Sequence, residues 1–183
     1  SSDLLRGSTD ESLDRIIVVD NGSTDGSLDA ARNVAGVTVL DAGRNLGFAK
    51  ACNLGARETT AEFLLFLNPD TTVSPGVLPR VLSFMTETSS VQVGICGVQL
   101  VDEEGRVARS CARFPTPLGM CSVALGLGRI FRGSGMLMED WPHDRSRQVD
   151  HVIGAFYFVR KSVFEALRGF DERFFMYLEE IGR

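Results

Sequence analysis

Four short polar clusters contain the side chains of this 183-residue chain that are best suited to chemistry. The first is Asp20 to Ser27, the second Arg44 to Gly47, the third Asn68 to Asp70, and the fourth Glu179 with Glu180. An aspartate can accept hydrogen bonds from a base or ribose, and an arginine can neutralise a phosphate oxygen. A glutamate can take a proton from a hydroxyl group. Together these residue types favour a site for a phosphorylated ligand.

The third cluster shows how a strand would position such a group. The apolar run Phe63 to Leu67 is too short to span a membrane and is typical of a strand buried on both faces. It stops at Asn68-Pro69-Asp70, and ligands of open α/β sheets bind just beyond the carboxyl ends of strands. A carboxylate there is half of a site for a divalent cation that also holds a diphosphate. The alternative is that Asp70 only satisfies loop amides.

Strands and helices alternate along most of the chain. Apolar and β-branched runs predict buried strands, and apolar residues at helical spacing predict helices between them. This alternation implies right-handed crossovers and an α/β fold with a mainly parallel sheet flanked by helices. Asp25 or Ser27 is expected to cap the first helix, and Ser74 the third. The predicted strands are 15–19, 37–40, 63–67, 91–100 and 152–159, and the predicted helices are 28–34, 48–57, 77–86 and 162–168.

A chain of this length is expected to form a single domain over residues 1–183. The pattern loosens between Arg106 and Gln148, which we expect to be an irregular loop or insertion, attached through Trp141. The chain opens in a polar stretch and stops three residues after Glu180. We therefore expect it to be truncated at both ends.

The composition and the net charge argue against several classes of protein. A net charge of -5 argues against a nucleic-acid binder and leaves no broad basic face for anionic lipid. No run approaches the ~20 apolar residues of a membrane span, and no signal peptide opens the chain. The cysteines lack C-x-x-C spacing and are expected to be reduced, which favours a cytoplasmic protein. His143 and His151 are expected to be structural, because no nucleophile is evident beside them.

Each polar cluster also has a plainer interpretation. The first is typical of a tight turn followed by a helix cap, and the second of a surface arginine in a loop. Adjacent glutamates are most often a solvated face. The presence of all four clusters at the ends of predicted elements is what favours a binding site.

Four stretches carry a resemblance to a known family. They are VVDNGSTDGS (Val18 to Ser27), GRNLGFAKACNLGA (Gly43 to Ala56), FLLFLNPDTTV (Phe63 to Val73) and GAFYFVRKSVFEALRGFDERFFMYLEE (Gly154 to Glu180). In this order and spacing they resemble the family 2 inverting glycosyltransferases, and most of all the rhamnosyltransferase-like branch. One such motif would be a weak signal, whereas four in order are specific.

The resemblance implies a GT-A-type fold and an inverting, metal-dependent transferase. The sugar would pass from a nucleoside diphosphate sugar, such as dTDP-rhamnose or a UDP-sugar, to a hydroxyl acceptor. Asp70 stands where the family's metal-binding acid stands, so a divalent cation (Mg²⁺ or Mn²⁺) is implied there. Glu179 and Glu180 stand in place of the family's Glu-Asp pair, which makes Glu180 the candidate base. The implied nucleotide- and donor-binding residues are Asp20, Asn21, Ser23, Asp25, Arg44, Asn45, Gly47, Asn68, Gly154 and Ala155.

The implied acceptor is a saccharide or a lipid-linked saccharide of cell-surface polysaccharide synthesis. This places the protein in the cytoplasm or at the inner face of the membrane, with peripheral membrane contact in the full-length protein. The family opens with a strand and a helix that carry a Thr-Tyr-Asn-like motif, so the resemblance implies that an N-terminal strand is missing from this sequence. The piece by itself can therefore be inactive. Two alternatives are a non-catalytic nucleotide-sugar binding module and a sugar-nucleotide nucleotidyltransferase. The second would need a Gly-rich phosphate loop after its first strand, and the sequence has none.

Overall fold

A computed structural model describes residues 13–108, 110–114, 138 and 141–175 of the chain. Strands and helices alternate in its first half, as the sequence predicts. The strands are β1 (Ile16–Asp20), β2 (Val37–Asp41), β3 (Phe63–Leu67), β4 (Ile95–Cys96), β5 (Leu100–Val101), β6 (Val107–Ala108), β7 (Cys111–Ala112), β8 (His151–Val152) and β9 (Phe156–Arg160). The helices are α1 (Ser27–Arg32), α2 (Phe48–Arg57), α3 (Val77–Thr86) and α4 (Lys161–Ala166), with a short 3₁₀ turn at Thr88–Ser90.

The first two strands form a parallel pair. Their register runs from Ile16 opposite Val37 to Asp20 opposite Asp41. Both strands are rich in β-branched residues, which pack well on a pleated surface. Asp20 is therefore the last residue of β1 and not the first residue of the loop after it.

The central sheet has the order β3-β9-β4, and β9 is antiparallel to both of its neighbours. Alternate residues of β9 point to opposite faces. Tyr157 and Val159 pack in a cluster with α2 and α4, whereas Phe156 and Phe158 pack in a cluster with α3. The helices thus cover both faces of this sheet, which confirms the predicted α/β class.

The strand pairing is less parallel than expected. β3 and β4 run in the same direction, as a strand–helix–strand unit requires, but β9 lies between them in the opposite direction. Among the described residues, β1 is paired only with β2, and β3 only with β9. β1 and β3 are therefore not hydrogen-bonded neighbours among the described residues. Local sequence could not reveal the direction of β9, because its partners β3 and β4 lie far from it in the chain.

Several predicted boundaries also differ. The predicted strand 91–100 contains only β4 and the start of β5, and the predicted strand 152–159 is divided by a turn at Gly154-Ala155. Helices α1 and α3 begin after Gly26 and Gly76, both with positive φ and no side-chain cap, so neither Ser27 nor Ser74 is a cap. Glycine fills these positions because it adopts a left-handed φ without a steric cost.

The predicted irregular region 106–148 contains two short strands. β6 pairs with β5, and β7 pairs with β8. Trp141 is buried against Cys111 and Met138, which belong to the same region, so its role in attaching the region stays a prediction. Residues 109, 115–137 and 139–140 lie outside the described residues. None of the helices in the described part of the chain is long and apolar enough to cross a membrane.

Helix α2 joins the two groups of strands. Gly55 faces β1, and a Cβ atom on it would lie 3.1 Å from the Val19 side chain. Ala49 and Ala56 are buried in the same cluster as Leu64 of β3. Small residues at these positions let the helix backbone approach both strands closely, so α2 fixes where the loops after β1 and β3 lie.

Candidate functional site

The first polar cluster is organised by the carboxylate of Asp20. This side chain is 7% exposed, and its Oδ2 accepts hydrogen bonds from the backbone N–H groups of Gly22 (3.2 Å) and Ser23 (3.1 Å). The pKa of Asp20 lies below its ordinary value, chiefly because the Ser23 hydroxyl group hydrogen-bonds the carboxylate, with those two N–H groups adding to the effect. Asp20 is therefore an ionised acceptor that holds its own loop in place.

The first and second clusters are bound to each other. Asn21 donates from Nδ2 to Oδ1 of Asn45 (3.0 Å), and its own Oδ1 accepts the N–H of Leu46 (2.8 Å). Asn45 Oδ1 also accepts the N–H of Gly47 (3.0 Å). Gly22 has φ +86° and touches the other loop so closely that a Cβ atom would lie 2.8 Å from the backbone nitrogen of Asn45. The two loops are thus one folded unit.

Two charged side chains of this unit, Arg44 and Asp25, differ in their hydrogen bonding. Arg44 is exposed, and within the described residues its side chain makes no hydrogen bond or ion pair, so its guanidinium group is available to an anion. Asp25 accepts the Ser27 hydroxyl group (2.6 Å) and the Ser27 N–H (3.1 Å), and the hydroxyl group is the main reason that the pKa of Asp25 is lowered. Asp25 and Ser23 are both exposed.

The third cluster is bound to the turn between β8 and β9. The backbone N–H of Asn68 donates to the carbonyl oxygen of Ala155 (3.2 Å), and the Thr71 hydroxyl group reaches the same oxygen (3.4 Å). The Thr71 N–H closes a turn onto the Asn68 carbonyl oxygen (3.0 Å). Gly154 and Ala155, predicted to lie beside the donor sugar, are thereby placed next to the segment that carries Asp70.

The donor set around Asp70 decides what kind of metal site is possible. The Asp70 side chain is exposed, and within residues 13–108, 110–114, 138 and 141–175 no three histidine, cysteine, aspartate or glutamate residues come together as a metal site. Mg²⁺ is commonly held by one or two carboxylates together with the phosphates of a substrate. The residues present therefore fit an ion that Asp70 shares with a diphosphate, and they do not form a preformed cage.

The segment that precedes the fourth cluster packs against the second. The carbonyl oxygen of Phe175 accepts the N–H of Phe48, the first residue of α2 (2.9 Å). A Cβ atom on Gly47, whose φ is +87°, would lie 2.8 Å from that same oxygen. Glu179 and Glu180 lie outside the described residues, so their assignment as base candidates stays a prediction.

One buried polar residue escaped the sequence analysis. Asn53 is 5% exposed and hydrogen-bonds the backbone of Phe170, which lies 117 residues later in the chain. Its position on α2 was a usable signal, because Ala49, Asn53 and Ala56 share the buried face of an amphipathic helix. An asparagine on such a face needs hydrogen-bond partners, and these come from elsewhere in the fold.

His143 and the three described cysteines are packed in the interior of the fold. The ring of His143 is buried and stacks on Trp141, with 4.2 Å between the centroids. Cys52, Cys96 and Cys111 form no disulfide, and burial raises the pKa of Cys96 and Cys111. Neither thiol is thereby made a better nucleophile.

These contacts join the first two clusters to each other and to the approach to the fourth, and they bind the third cluster to the turn before β9. A family model described as Glycosyl transferase family 2 matches residues 3–168. The chain belongs to glycosyl transferase family 2. The resemblance noted from the sequence motifs is thereby confirmed.

Two curated relatives of the family 2 chain are named transferases. The N-acetylglucosaminyl-diphospho-decaprenol L-rhamnosyltransferase of Mycobacterium tuberculosis is 29% identical over 180 residues, which cover 91% of this chain and 58% of that protein. The low-salt glycan biosynthesis hexosyltransferase Agl10 of Haloferax volcanii is 29% identical over 171 residues, which cover 90% of this chain and 50% of that protein. The chain therefore spans only about half the length of these relatives.

A solved structure with a similar fold is the mannosyltransferase PcManGT from Pyrobaculum calidifontis, determined in complex with GDP-Man and Mn²⁺. It superposes with a TM-score of 0.54 at 20% identity, over 94% of this chain and 45% of that one. This similarity confirms the expected GT-A-type fold of the family 2 chain.

The contribution to stability of the contact between the first two clusters can be tested with a pair of glycine substitutions. Gly22 and Gly26 both have a left-handed φ (+86° and +83°), so alanine costs roughly 1–2 kcal/mol in backbone strain at either position. A Cβ atom at Gly22 also meets the backbone of Arg44 and Asn45, whereas one at Gly26 meets no atom within 4 Å. We expect Gly22→Ala to lower the free energy of unfolding by a further 1–3 kcal/mol or so, measured by urea denaturation. Equal decreases in the free energy of unfolding for Gly22→Ala and Gly26→Ala would show that the contact between the two loops does not contribute to stability.

Proposed function

We propose that the whole protein transfers a sugar from a nucleoside diphosphate sugar to a hydroxyl acceptor, with inversion at the anomeric carbon. Family membership supports the reaction class. The observation that supports the proposal is the contact between the loop after β1 and the loop after β2, which joins the first two clusters. Asn21 binds Asn45, Asn68 binds Ala155, and Phe175 binds Phe48. The first two clusters are thus joined just beyond the carboxyl ends of the parallel strands β1 and β2, which is where α/β folds bind nucleotides.

The donor would be held by the first three clusters. The exposed guanidinium group of Arg44 is suited to a phosphate oxygen, and the protein's net charge of -5 means that an anionic donor needs such local help. Asp20 can accept from the base or ribose through Oδ1, because both backbone hydrogen bonds go to Oδ2. Asp70, with Asn68, would hold the divalent cation on the diphosphate. Bound there, Mg²⁺ or Mn²⁺ would offset the negative charge of the leaving group.

The transfer itself requires one base. The acceptor hydroxyl oxygen attacks the anomeric carbon and forms the new glycosidic C–O bond, while the C–O bond to the diphosphate breaks and its electron pair leaves with the nucleoside diphosphate. The hydroxyl proton passes to a carboxylate, for which Glu180 is our candidate and Glu179 the neighbour that could replace it. A single in-line displacement of this kind inverts the anomeric carbon and needs no covalent enzyme intermediate.

The relatives suggest the class of substrate. One is named for transfer of L-rhamnose onto N-acetylglucosaminyl-diphospho-decaprenol, and the other for glycan biosynthesis. We propose dTDP-rhamnose or a UDP-sugar as the donor and a saccharide or lipid-linked saccharide of the cell surface as the acceptor. Such an acceptor would place the protein at the inner face of the membrane, through peripheral contact.

We further propose that the whole protein has a strand between β1 and β3. Helix α2 packs on both strands, yet in the described residues neither is hydrogen-bonded to the other, and each is paired along one edge only. Unpaired backbone groups of strands that are covered by a helix are costly. The greater length of the relatives is consistent with an additional strand.

The experiment that tests the function is a calorimetric titration of the whole protein with UDP-, dTDP- and GDP-sugars, with and without Mn²⁺. We expect one donor to bind in a metal-dependent way and to be consumed when a saccharide acceptor is added. Binding without transfer to any acceptor would favour the non-catalytic module. No binding of any donor would refute the transferase.

Asp70 can be tested separately from the rest of the donor site. We expect Asp70→Ala to abolish the Mn²⁺-dependent part of donor binding, because within the described residues no group of three or more histidine, cysteine, aspartate or glutamate residues could hold the ion in its place. Asp29→Ala is the matched control, since it removes the same charge from an exposed position on α1. Donor titrations with and without Mn²⁺ measure the effect. Unchanged metal dependence in Asp70→Ala would refute the metal assignment.

Glu180 can be tested by removing its charge alone. We expect Glu180→Gln to leave the donor dissociation constant unchanged and to lower the rate of transfer by about 10²–10⁴-fold, the usual contribution of a general base. Glu179→Gln is the comparison. If Glu179→Gln abolishes transfer and Glu180→Gln does not, the roles of the two glutamates are reversed.

A further inference from the structure

Phe175 is an exposed aromatic residue that lies against the second polar cluster. It is 58% exposed, yet its ring atom Cδ2 would lie only 2.9 Å from a Cβ atom on Gly47. Gly47 has φ +87°, which glycine adopts without a steric cost. Any side chain at position 47 would therefore displace the ring as well as strain the backbone. The glycine leaves room for one edge of the ring beside the loop.

The position of Phe175 is fixed through its backbone. Its carbonyl oxygen accepts the N–H of Phe48 at the start of α2 (2.9 Å). Earlier in the same segment, the buried Phe170 donates its N–H to Oδ1 of Asn53, also on α2 (2.9 Å). The exposed ring thus stands on a backbone that is held to α2 at two points. A ligand that contacts the ring meets an ordered backbone, and this lowers the entropic cost of binding.

The loop that the ring touches is the one joined to Asp20. The N–H of Gly47 donates to Oδ1 of Asn45, and the same oxygen accepts Nδ2 of Asn21 (3.0 Å in each case). Asn21 directly follows Asp20, whose two backbone hydrogen bonds both go to Oδ2. Two hydrogen bonds to one asparagine oxygen therefore connect the residue under the ring to the residue next to the buried carboxylate. The aromatic ring and the carboxylate belong to one folded unit.

A nucleoside needs two kinds of contact. The edge of its base forms hydrogen bonds, whereas the two flat faces of the base stack on aromatic side chains. The first two polar clusters supply hydrogen-bonding and charged groups but contain no aromatic residue. Of the exposed aromatic residues in the described part of the chain, which are Phe84, Phe114 and Phe175, it is Phe175 that lies against one of these clusters. Its ring is the kind of surface that the clusters themselves lack.

We propose that the Phe175 ring stacks on the base of the nucleoside diphosphate donor. Asp20 then contacts the edge of the base or the ribose, and Arg44 contacts a phosphate oxygen. This inference rests on the proposed function, because it adds a contact to the same ligand. A stacking contact is made with the face that every base has, so Phe175 contributes affinity and does not select among uracil, thymine and guanine.

Removal of the ring from the whole protein tests the contact. We expect Phe175→Ala to raise the dissociation constant of the bound nucleoside diphosphate by about tenfold or more, the usual effect of losing one base–aromatic stack. Phe175→Trp should stay within about twofold of the unaltered protein, because an indole ring also stacks. Phe114→Ala removes the same side chain from a position that is 52% exposed, and it should change nothing. Calorimetric titrations with UDP, dTDP and GDP in the presence of Mn²⁺ measure these constants.

Inorganic pyrophosphate separates stacking from a disturbance of the loop. It carries the charges of the diphosphate but has no base. We expect the unaltered protein and Phe175→Ala to bind pyrophosphate with Mn²⁺ equally well. An unchanged dissociation constant for the nucleoside diphosphate in Phe175→Ala would overturn the proposal. Equal losses of affinity for pyrophosphate and for the nucleoside diphosphate would also overturn it, since the substitution would then act on the phosphate site.

The stability of the variant distinguishes a bound base from a segment of the whole protein that covers the ring. We expect Phe175→Ala to leave the midpoint of urea denaturation unchanged in the absence of ligand, as is usual for an exposed position. Phe170→Ala is the comparison, because it removes the same side chain from the core and should lower the midpoint. A decrease in Phe175→Ala as large as that in Phe170→Ala would show that protein packs on the ring, which would overturn the stacking role.

The variant Phe175→Trp also reports the contact by fluorescence. A base stacked on an indole ring quenches its emission. We expect the nucleoside diphosphate to quench this variant more than the unaltered protein, whose one tryptophan is Trp141, and pyrophosphate to quench neither. Equal quenching of the two proteins by the nucleotide would overturn the proposal. Absence of nucleotide binding by the unaltered protein would instead refute the proposed function.

Discussion

The close packing of helix α2 on two groups of strands is the constraint on which the rest of the structure depends. Gly55 lets the helix approach β1, and Ala49 and Ala56 let it approach the core that contains β3. A larger side chain at these positions would separate the parallel pair from the central sheet, because protein interiors are close-packed and tolerate little added volume. The loop before α2 and the segment after α4 both take their positions from this helix.

The candidate site is held mostly by backbone groups and amide side chains. Asn21 and Asn45 join the first two clusters, and the Ala155 carbonyl oxygen receives the third. These hydrogen bonds join uncharged groups. They hold the loops in place without using the charged side chains that a phosphorylated donor needs. Arg44 and Asp70 are both exposed as a result. Asp20 is the exception, since it is buried and holds its own turn through one oxygen.

Local signals in the sequence were sufficient for much of the fold. The predicted bounds of α2, β3 and α3 agree with the structure, because in each case an apolar pattern of one period extends over the whole element. The predicted strand 91–100 fails because its apolar residues are interrupted by Gly94 and Gly97, which weaken strand pairing. Ser27 and Ser74 are not caps, because Gly26 and Gly76 take the left-handed conformation at those helix starts.

The sequence by itself determined which residue types stand at the ends of strands, and four ordered motifs were enough to indicate the family. Only the tertiary structure decided that β9 lies between β3 and β4, and that Asn53 binds Phe170 across 117 residues. Both depend on contacts between segments that are far apart in the chain. Periodicity and turn chemistry report the conformation of neighbouring residues, whereas the partner of a buried amide or of a strand edge is set by the packing of the whole fold.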